Sequence, residues 1–103
     1  MGFVYRGNAL IKPNDSKVAG RVTLLREMLE MRPSEFAAFL GISRSRLSNI
    51  ESGKLPLSRD MQFILVDKID GLTLDYLFFG NTRFLTVDFA QRLEAARRRL
   101  NNG

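Results

Sequence analysis

The segment that most constrains the fold of this chain covers residues 34–53, where the pattern of residues describes two short helices and one tight turn. Phe36, Phe39 and Leu40 recur at the spacing that places side chains on one face of a helix. Gly41 follows them, and glycine adopts the left-handed conformation at a helix C-terminus at the least cost. The pattern therefore predicts two amphipathic helices that meet at Gly41, the first of them over about residues 33–40.

The second helix of this pair is predicted over residues 44–51, with Ser43 as its N-cap. At about 100° per residue, Leu47 and Ile50 fall close together and mark the side that faces a core. The opposite side is polar and contains Arg44, Ser45, Arg46, Ser48 and Asn49. This is the layout of a two-helix unit whose second helix lies in the major groove of DNA. The alternative interpretation is an ordinary solvated helix face.

Hydrophobic spacing and capping residues predict four more helices besides this pair. The first of these helices has Ser16 as its expected N-cap, ends at Pro33, and buries a face made of Val18, Val22, Leu25 and Leu29. The next has Ser58 as its N-cap, ends at Gly71, and buries a stripe made of Met61, Ile64, Leu65 and Ile69. Thr73 caps a short helix over 74–78, and a last helix covers 87–100. The predicted organisation is an N-terminal arm over 1–15, a helical domain over 16–80, and a linker with a C-terminal helix over 81–103.

The two ends of the chain allow more than one interpretation. The last helix has a stripe of apolar residues, Phe89, Leu93, Ala96 and Leu100, that either docks on the core or forms the seam of a dimer. We favour the dimer, because two small domains on half-sites about 34 Å apart contact more bases than one. Arg6 and Lys12 of the arm either follow a groove of DNA or belong to a frayed terminus, which is the preferred interpretation. Residues 97–99 form either a basic patch or, as we expect, a helix C-terminus that favours cations.

Composition narrows the classes of function. The chain has 103 residues, which suits one domain, and its net charge of +5 favours a polyanionic partner. It contains no cysteine and no histidine, which excludes disulfides, cysteine and histidine metal sites and histidine acid–base catalysis. We therefore expect no cofactor, no metal and no enzymatic activity. The sequence lacks a long apolar run and a signal-peptide pattern, so we expect a cytoplasmic protein with no membrane partner.

Residues Val18–Gly80 resemble the family of the phage lambda repressor and Cro, also called Xre-like helix-turn-helix domains. The matching residues form two runs, Phe36-Ala37-Ala38-Phe39-Leu40-Gly41-Ile42-Ser43 and Leu47-Ser48-Asn49-Ile50-Glu51-Ser52-Gly53. The resemblance implies an all-α domain of five helices that binds operator DNA, usually as a homodimer, with the third helix as the recognition helix. The arm and the extra C-terminal helix lie outside it.

Carried over by position, the resemblance implies roles for single residues. Arg44, Ser45 and Asn49 match base-reading positions, and we add Ser48 from the same polar face. Arg46 and Lys54 match positions that contact phosphate, and the basic residue Arg59 is a further candidate. Arg26 matches an arginine that pairs with the glutamate ending the third helix, which is Glu51 here.

One departure from the family pattern concerns the start of the second helix. The family commonly has Thr-Gln there, and the glutamine binds a phosphate and supports the recognition helix. This chain has Arg32 and Pro33 at those positions, and the proline side chain cannot donate a hydrogen bond. We hypothesise that Arg32 supplies the phosphate contact.

Three functions compete at this stage. The leading interpretation is a transcriptional regulator, in the form of a repressor, that binds double-stranded DNA by sequence. The second is a protein-binding module, such as the antitoxin of a toxin–antitoxin pair, which would use the arm or the last helix to cover its partner. An enzyme is the least favoured, because the acidic residues suit helix caps and ion pairs better than a paired-carboxylate site.

Overall fold

Helices make up most of the structure, a computed structural model that describes residues 5–6, 9–10 and 15–102. The six helices in this part of the chain are α1 (Asp15–Met28), α2 (Pro33–Leu40), α3 (Arg44–Glu51), α4 (Arg59–Lys68), α5 (Leu74–Phe79) and α6 (Val87–Asn102). The predicted all-α class is confirmed, and the bounds of α2 and α3 agree with those predicted from residues 33–53.

The described part of the N-terminal arm forms a short antiparallel ribbon. Strands β1 (Tyr5–Arg6) and β2 (Ala9–Leu10) pair with Tyr5 opposite Leu10 and Arg6 opposite Ala9. Lys12, the other basic residue predicted to belong to the arm, lies outside the described residues. The interpretation of the arm as groove-following or frayed therefore stays a prediction.

Hydroxyl side chains cap four of the helices, three of them at the positions predicted from the sequence and the fourth, α6, through Thr86. The hydroxyl oxygens of Ser43, Ser58 and Thr73 accept the backbone N–H three residues later, at 3.0, 3.2 and 3.0 Å. Each bond satisfies one N–H that has no partner within its own helix. The prediction for α1 is wrong by two residues, because the helix begins at Asp15 and Ser16 lies inside its first turn rather than at the N-cap position.

Helix α1 ends earlier than predicted, at Met28 rather than at Pro33. Glu30 has a positive φ of 56°. The N–H of Met31 donates to the carbonyl of Arg26 at 3.2 Å and that of Glu30 to Glu27 at 3.0 Å. These two bonds are the Schellman pattern of a helix end, in which the left-handed position is usually a glycine. Because Glu30 occupies this position instead of a glycine, the sequence does not indicate that α1 ends here. Helix α4 also ends early, at Lys68 rather than near Gly71.

The core forms around α1, which packs against α3, α5 and α6, while α2 packs against α3 and α4. Its fully buried large side chains are Val22, Leu25, Phe36, Leu47, Met61, Leu65, Ile69 and Leu77. Of the stripe predicted for α4, Met61, Leu65 and Ile69 are buried and Ile64 is partly buried.

The apolar stripe of α6 belongs to the same core. Phe89, Leu93 and Ala96 are 2%, 4% and 0% exposed, whereas Leu100 is 45% exposed. The preference for this stripe as a dimer seam is therefore corrected: it is the docking face of α6 on its own chain. The reason is that α1 leaves an apolar surface, which α6 covers within the same chain. Within the described residues, no helix is long and apolar enough to cross a membrane.

Candidate nucleic-acid interface

The outward face of α3 is the centre of the candidate interface. Leu47 and Ile50 are 1% and 3% exposed and hold α3 against the core. Gly41, with a φ of 73°, turns the chain sharply between α2 and α3. The side of α3 opposite the core therefore faces outward, as the helical wheel predicts.

The predicted base-reading residues share this outward surface. Arg44, Ser45 and Ser48 are exposed, and Asn49 is half-buried. Their side chains form no hydrogen bond and no ion pair with any other described residue. The carbonyl oxygen of Asn49, in contrast, accepts from the backbone N–H of Leu55 at 3.0 Å and from the hydroxyl of Ser52 at 3.2 Å. The backbone is thus held in place while the side-chain donors and acceptors stay available.

Glu51 ties the end of α3 to α1. Its carboxylate accepts from Nε of Arg26 at 3.0 Å, from Nη2 of Arg26 at 3.2 Å and from the hydroxyl of Thr23 at 3.0 Å. The side chains of Arg26 and Glu51 are only 16% and 15% exposed, so solvent screens this pair less than a surface pair. The guanidinium also donates to the carbonyl oxygen of Met31 at 3.3 Å, just before α2. Arg26 of α1 therefore contacts both α3 and the segment that leads into α2.

Thr23 is a functional residue that the sequence reasoning missed. It lies three residues before Arg26 and so on the same face of α1. That spacing was visible in the sequence, but it becomes informative only once Glu51 is known to lie opposite.

The start of α4 brings two predicted phosphate contacts together. Nη2 of Arg46 donates to the hydroxyl of Ser58 at 3.3 Å, and Ser58 in turn caps α4. Arg59 is the first residue of α4 and is exposed, and Lys54 is exposed in the loop between α3 and α4. A helix N-terminus with cationic side chains beside it favours an anion. Sequence reasoning missed the contact with Ser58, because residue spacing cannot show which loop folds beside Arg46.

Arg32 occupies the N-cap position of α2 and is exposed. Its backbone N–H donates to the carboxylate of Glu35 at 2.8 Å, which fixes the first turn of the helix. A guanidinium has no acceptor, so the Arg32 side chain cannot complete a capping box and extends outward. Pro33 follows at the first helical position, beside Arg44 and Ser48 in a shallow cleft of about 310 Å³. The start of α2 therefore adjoins the outward face of α3.

Carboxylates near this surface are few, and two of them are engaged. Glu51 is paired with Arg26, and Glu35 accepts from the start of α2. Asp60 lies in the first turn of α4, where the helix dipole favours an acid. The surface around α3 therefore keeps a positive balance.

Comparison with known proteins identifies the family to which this chain belongs. The sequence profile of the helix-turn-helix family matches residues 23–77, which is more than half of the chain. The chain belongs to the Xre and lambda repressor-like helix-turn-helix family. No curated protein and no solved structure matches it. The matched region runs from within α1 to within α5, so α6 and the N-terminal ribbon lie outside it. The protein is thus a DNA-binding helix-turn-helix regulator, and the family does not favour the alternative of a protein-binding module.

Proposed function

We propose that this protein is a transcriptional repressor that recognises double-stranded DNA by sequence, with α3 inserted into the major groove. The observation that carries the proposal is the outward face of α3. The side chains of Arg44, Ser45, Ser48 and Asn49 on that face have no partner among the described residues, while Leu47 and Ile50 on the opposite face lie in the core. Such a face can enter a groove without breaking any contact that stabilises the fold.

Direct base readout is assigned to Arg44, Ser45, Ser48 and Asn49. The amide of Asn49 suits the N6 and N7 atoms of adenine, and the guanidinium of Arg44 suits the O6 and N7 atoms of guanine.

Phosphate contacts are assigned to residues on both sides of α3. Arg32 lies at the start of α2. Arg46 contacts the N-cap of α4, Arg59 is the first residue of α4, and Lys54 lies in the loop between α3 and α4. Two groups of cations that flank the recognition helix would hold the two phosphate backbones of one major groove. These contacts supply affinity and register but carry no sequence information.

Repression needs only occupancy of the operator, which a DNA-binding surface provides. We further propose that two copies bind together on half-sites one helical turn apart. The stripe Phe89, Leu93 and Ala96 is buried within the chain, so the contact between copies would use another surface.

Selection from random DNA duplexes tests the proposal. The protein is expected to recover a motif with two half-sites whose centres are about 34 Å apart, and sedimentation on the selected duplex is expected to show two copies. Ser45→Ala is expected to alter the recovered motif, whereas the exposed Arg92→Ala on α6 is the matched control and should not. Binding without any recovered motif, or no binding at modest salt, contradicts sequence recognition. A single copy on a single half-site contradicts the dimer alone.

A further inference from the structure

A second polar feature lies away from α3, in an open cleft between α1, α5 and α6. The cleft has a volume of about 450 Å³, within the range of sites that hold small molecules. Its charged lining residues are Lys17 and Arg21 of α1 and Arg97 of α6, and no carboxylate is among the described residues that line it. Tyr76 of α5 also lines the cleft.

The hydroxyl of Tyr76 is the unusual group in this cleft. The residue is 2% exposed, and the hydroxyl has no hydrogen-bond partner in the described part of the chain. A buried hydroxyl without a partner is costly, so proteins rarely leave one in that state. Burial also raises the pKa of Tyr76, against the opposing effect of Arg97 and Arg21, so the hydroxyl stays protonated at neutral pH and can donate.

Two arginines act on the same position from different helices. Nη1 of Arg21 donates to the carbonyl oxygen of Leu77 at 3.2 Å, which orients the guanidinium beside α5. Burial lowers the pKa of Arg21, and the charge of Arg97 lowers it further. Nε of Arg97 is 3.6 Å from a carboxylate oxygen of Glu94, but that pair is more than half exposed and therefore weak. A guanidinium has five N–H donors, so each arginine can keep its protein contact and still bind an anion.

The cleft and the DNA-binding surface lie on different sides of α1. At about 100° per residue, Lys17, Gly20, Arg21 and Leu24 fall within an arc of about 100°. The residues that contact Glu51 of α3, namely Thr23 and Arg26, are centred about 140° from the centre of that arc. The cleft therefore lies on a different side of α1 from the contacts that hold α3.

We propose that the cleft binds a small anionic metabolite through a phosphate or carboxylate group. The group accepts a hydrogen bond from the hydroxyl of Tyr76 and lies between the guanidinium groups of Arg21 and Arg97. It supplies the partner that the hydroxyl lacks, and it screens the repulsion between two like charges. Because the ligand joins α1, α5 and α6, it couples the C-terminal helix to the helix that holds α3 in place.

Thermal unfolding of the full chain tests the proposal, with inorganic phosphate and citrate as probes at constant ionic strength in chloride. At least one probe is expected to raise the Tm with a saturable dependence on concentration. Tyr76→Phe is expected to keep or raise the Tm without the probe, because it removes an unpaired buried hydroxyl, and to weaken probe binding about fivefold to tenfold. Arg97→Gln is expected to weaken binding by a similar factor. Arg98→Gln is the matched control, since Arg98 is 70% exposed and does not line the cleft.

Three outcomes would overturn the proposal. The first is a lack of saturable binding by either probe. The second is equal weakening by Arg98→Gln and Arg97→Gln, which would reveal only a general effect of charge. The third is displacement of a bound probe by a short DNA duplex, which would make the cleft part of the DNA-binding surface. None of these outcomes bears on whether α3 reads a DNA sequence, because none of them compares duplexes of different sequence.

Discussion

At the scale of single residues, Glu51 connects the fold to the interface. It ends α3, and its carboxylate accepts from Thr23 and Arg26 of α1. The two partners compensate the cost of withdrawing the carboxylate from water, and they fix the far end of α3. The side chains proposed to read bases, Arg44, Ser45, Ser48 and Asn49, have no such partners, so under this proposal stability and recognition depend on different side chains of α3.

The contacts of the Glu51 carboxylate predict the effect of Glu51→Ala on stability. Removal of the carboxylate leaves Arg26 and Thr23 without their acceptor, and we expect the free energy of unfolding to fall by about 2 kcal/mol. Urea denaturation measures the change. Glu94→Ala is the control, because its ion pairs with Arg97 and Arg98 are exposed and should contribute about 0.5 kcal/mol or less. Equal losses in the two variants would contradict a structural role for Glu51.

Asn49 and Arg32 separate base reading from phosphate contact. Asn49→Ala is expected to cost about 1–3 kcal/mol of binding free energy on the selected duplex and to relax specificity at one position.

Arg32→Ala should weaken binding similarly on all sequences and reduce by about one unit the slope of the logarithm of affinity against the logarithm of salt concentration. Binding titrations at several salt concentrations, on the selected duplex and a scrambled one, measure both. An unchanged salt slope for Arg32→Ala would contradict its phosphate role.

At the scale of elements, helix ends decide how the short helices meet. Gly41 and Gly80 end α2 and α5 with nearly the same left-handed geometry, at φ values of 73° and 72°. Their surroundings differ. A Cβ added at Gly41 meets nothing within 4 Å, whereas one added at Gly80 would lie 2.8 Å from Nη2 of Arg21.

The two glycines therefore form a matched pair for substitution. Gly41→Ala is expected to cost about 1 kcal/mol of unfolding free energy, from backbone strain alone. Gly80→Ala should cost about 2 kcal/mol, because it also displaces Arg21 from the carbonyl of Leu77. Urea denaturation of both variants measures the difference. Equal costs would show that Arg21 moves aside without losing a stabilising contact.

At the scale of the whole molecule, α6 completes the core although it lies outside the matched family region. Leu93 is buried and Leu100 of the same stripe is 45% exposed. Leu93→Ala is therefore expected to lower the unfolding free energy by about 2–4 kcal/mol, and Leu100→Ala by less than about 1 kcal/mol. Chemical denaturation measures stability, and sedimentation at high concentration measures mass. A lower mass for Leu93→Ala without loss of stability would restore the stripe as a dimer seam.

Local chemistry was sufficient for much of the structure. The all-α class, the bounds of α2 and α3, the caps at Ser43, Ser58 and Thr73, and the outward face of α3 could all be predicted from the sequence. Each depends on residues within about one or two helical turns of one another, where spacing in the sequence fixes spacing in the helix. The end of α1 at Met28 was missed, because Glu30, which follows it, does not signal in the sequence the left-handed conformation that it adopts.

Only the tertiary structure decided which surface each face meets. The apolar stripe of α6 predicts that Phe89 and Leu93 are buried, but it does not indicate whether they are buried against a second copy or against the same chain. The contact of Arg46 with Ser58 and the convergence of Arg21, Tyr76 and Arg97 join segments that are distant in the sequence. Hydrophobic burial is non-directional, so the partner of a face is chosen by the packing of all the helices together rather than by the residues of that face.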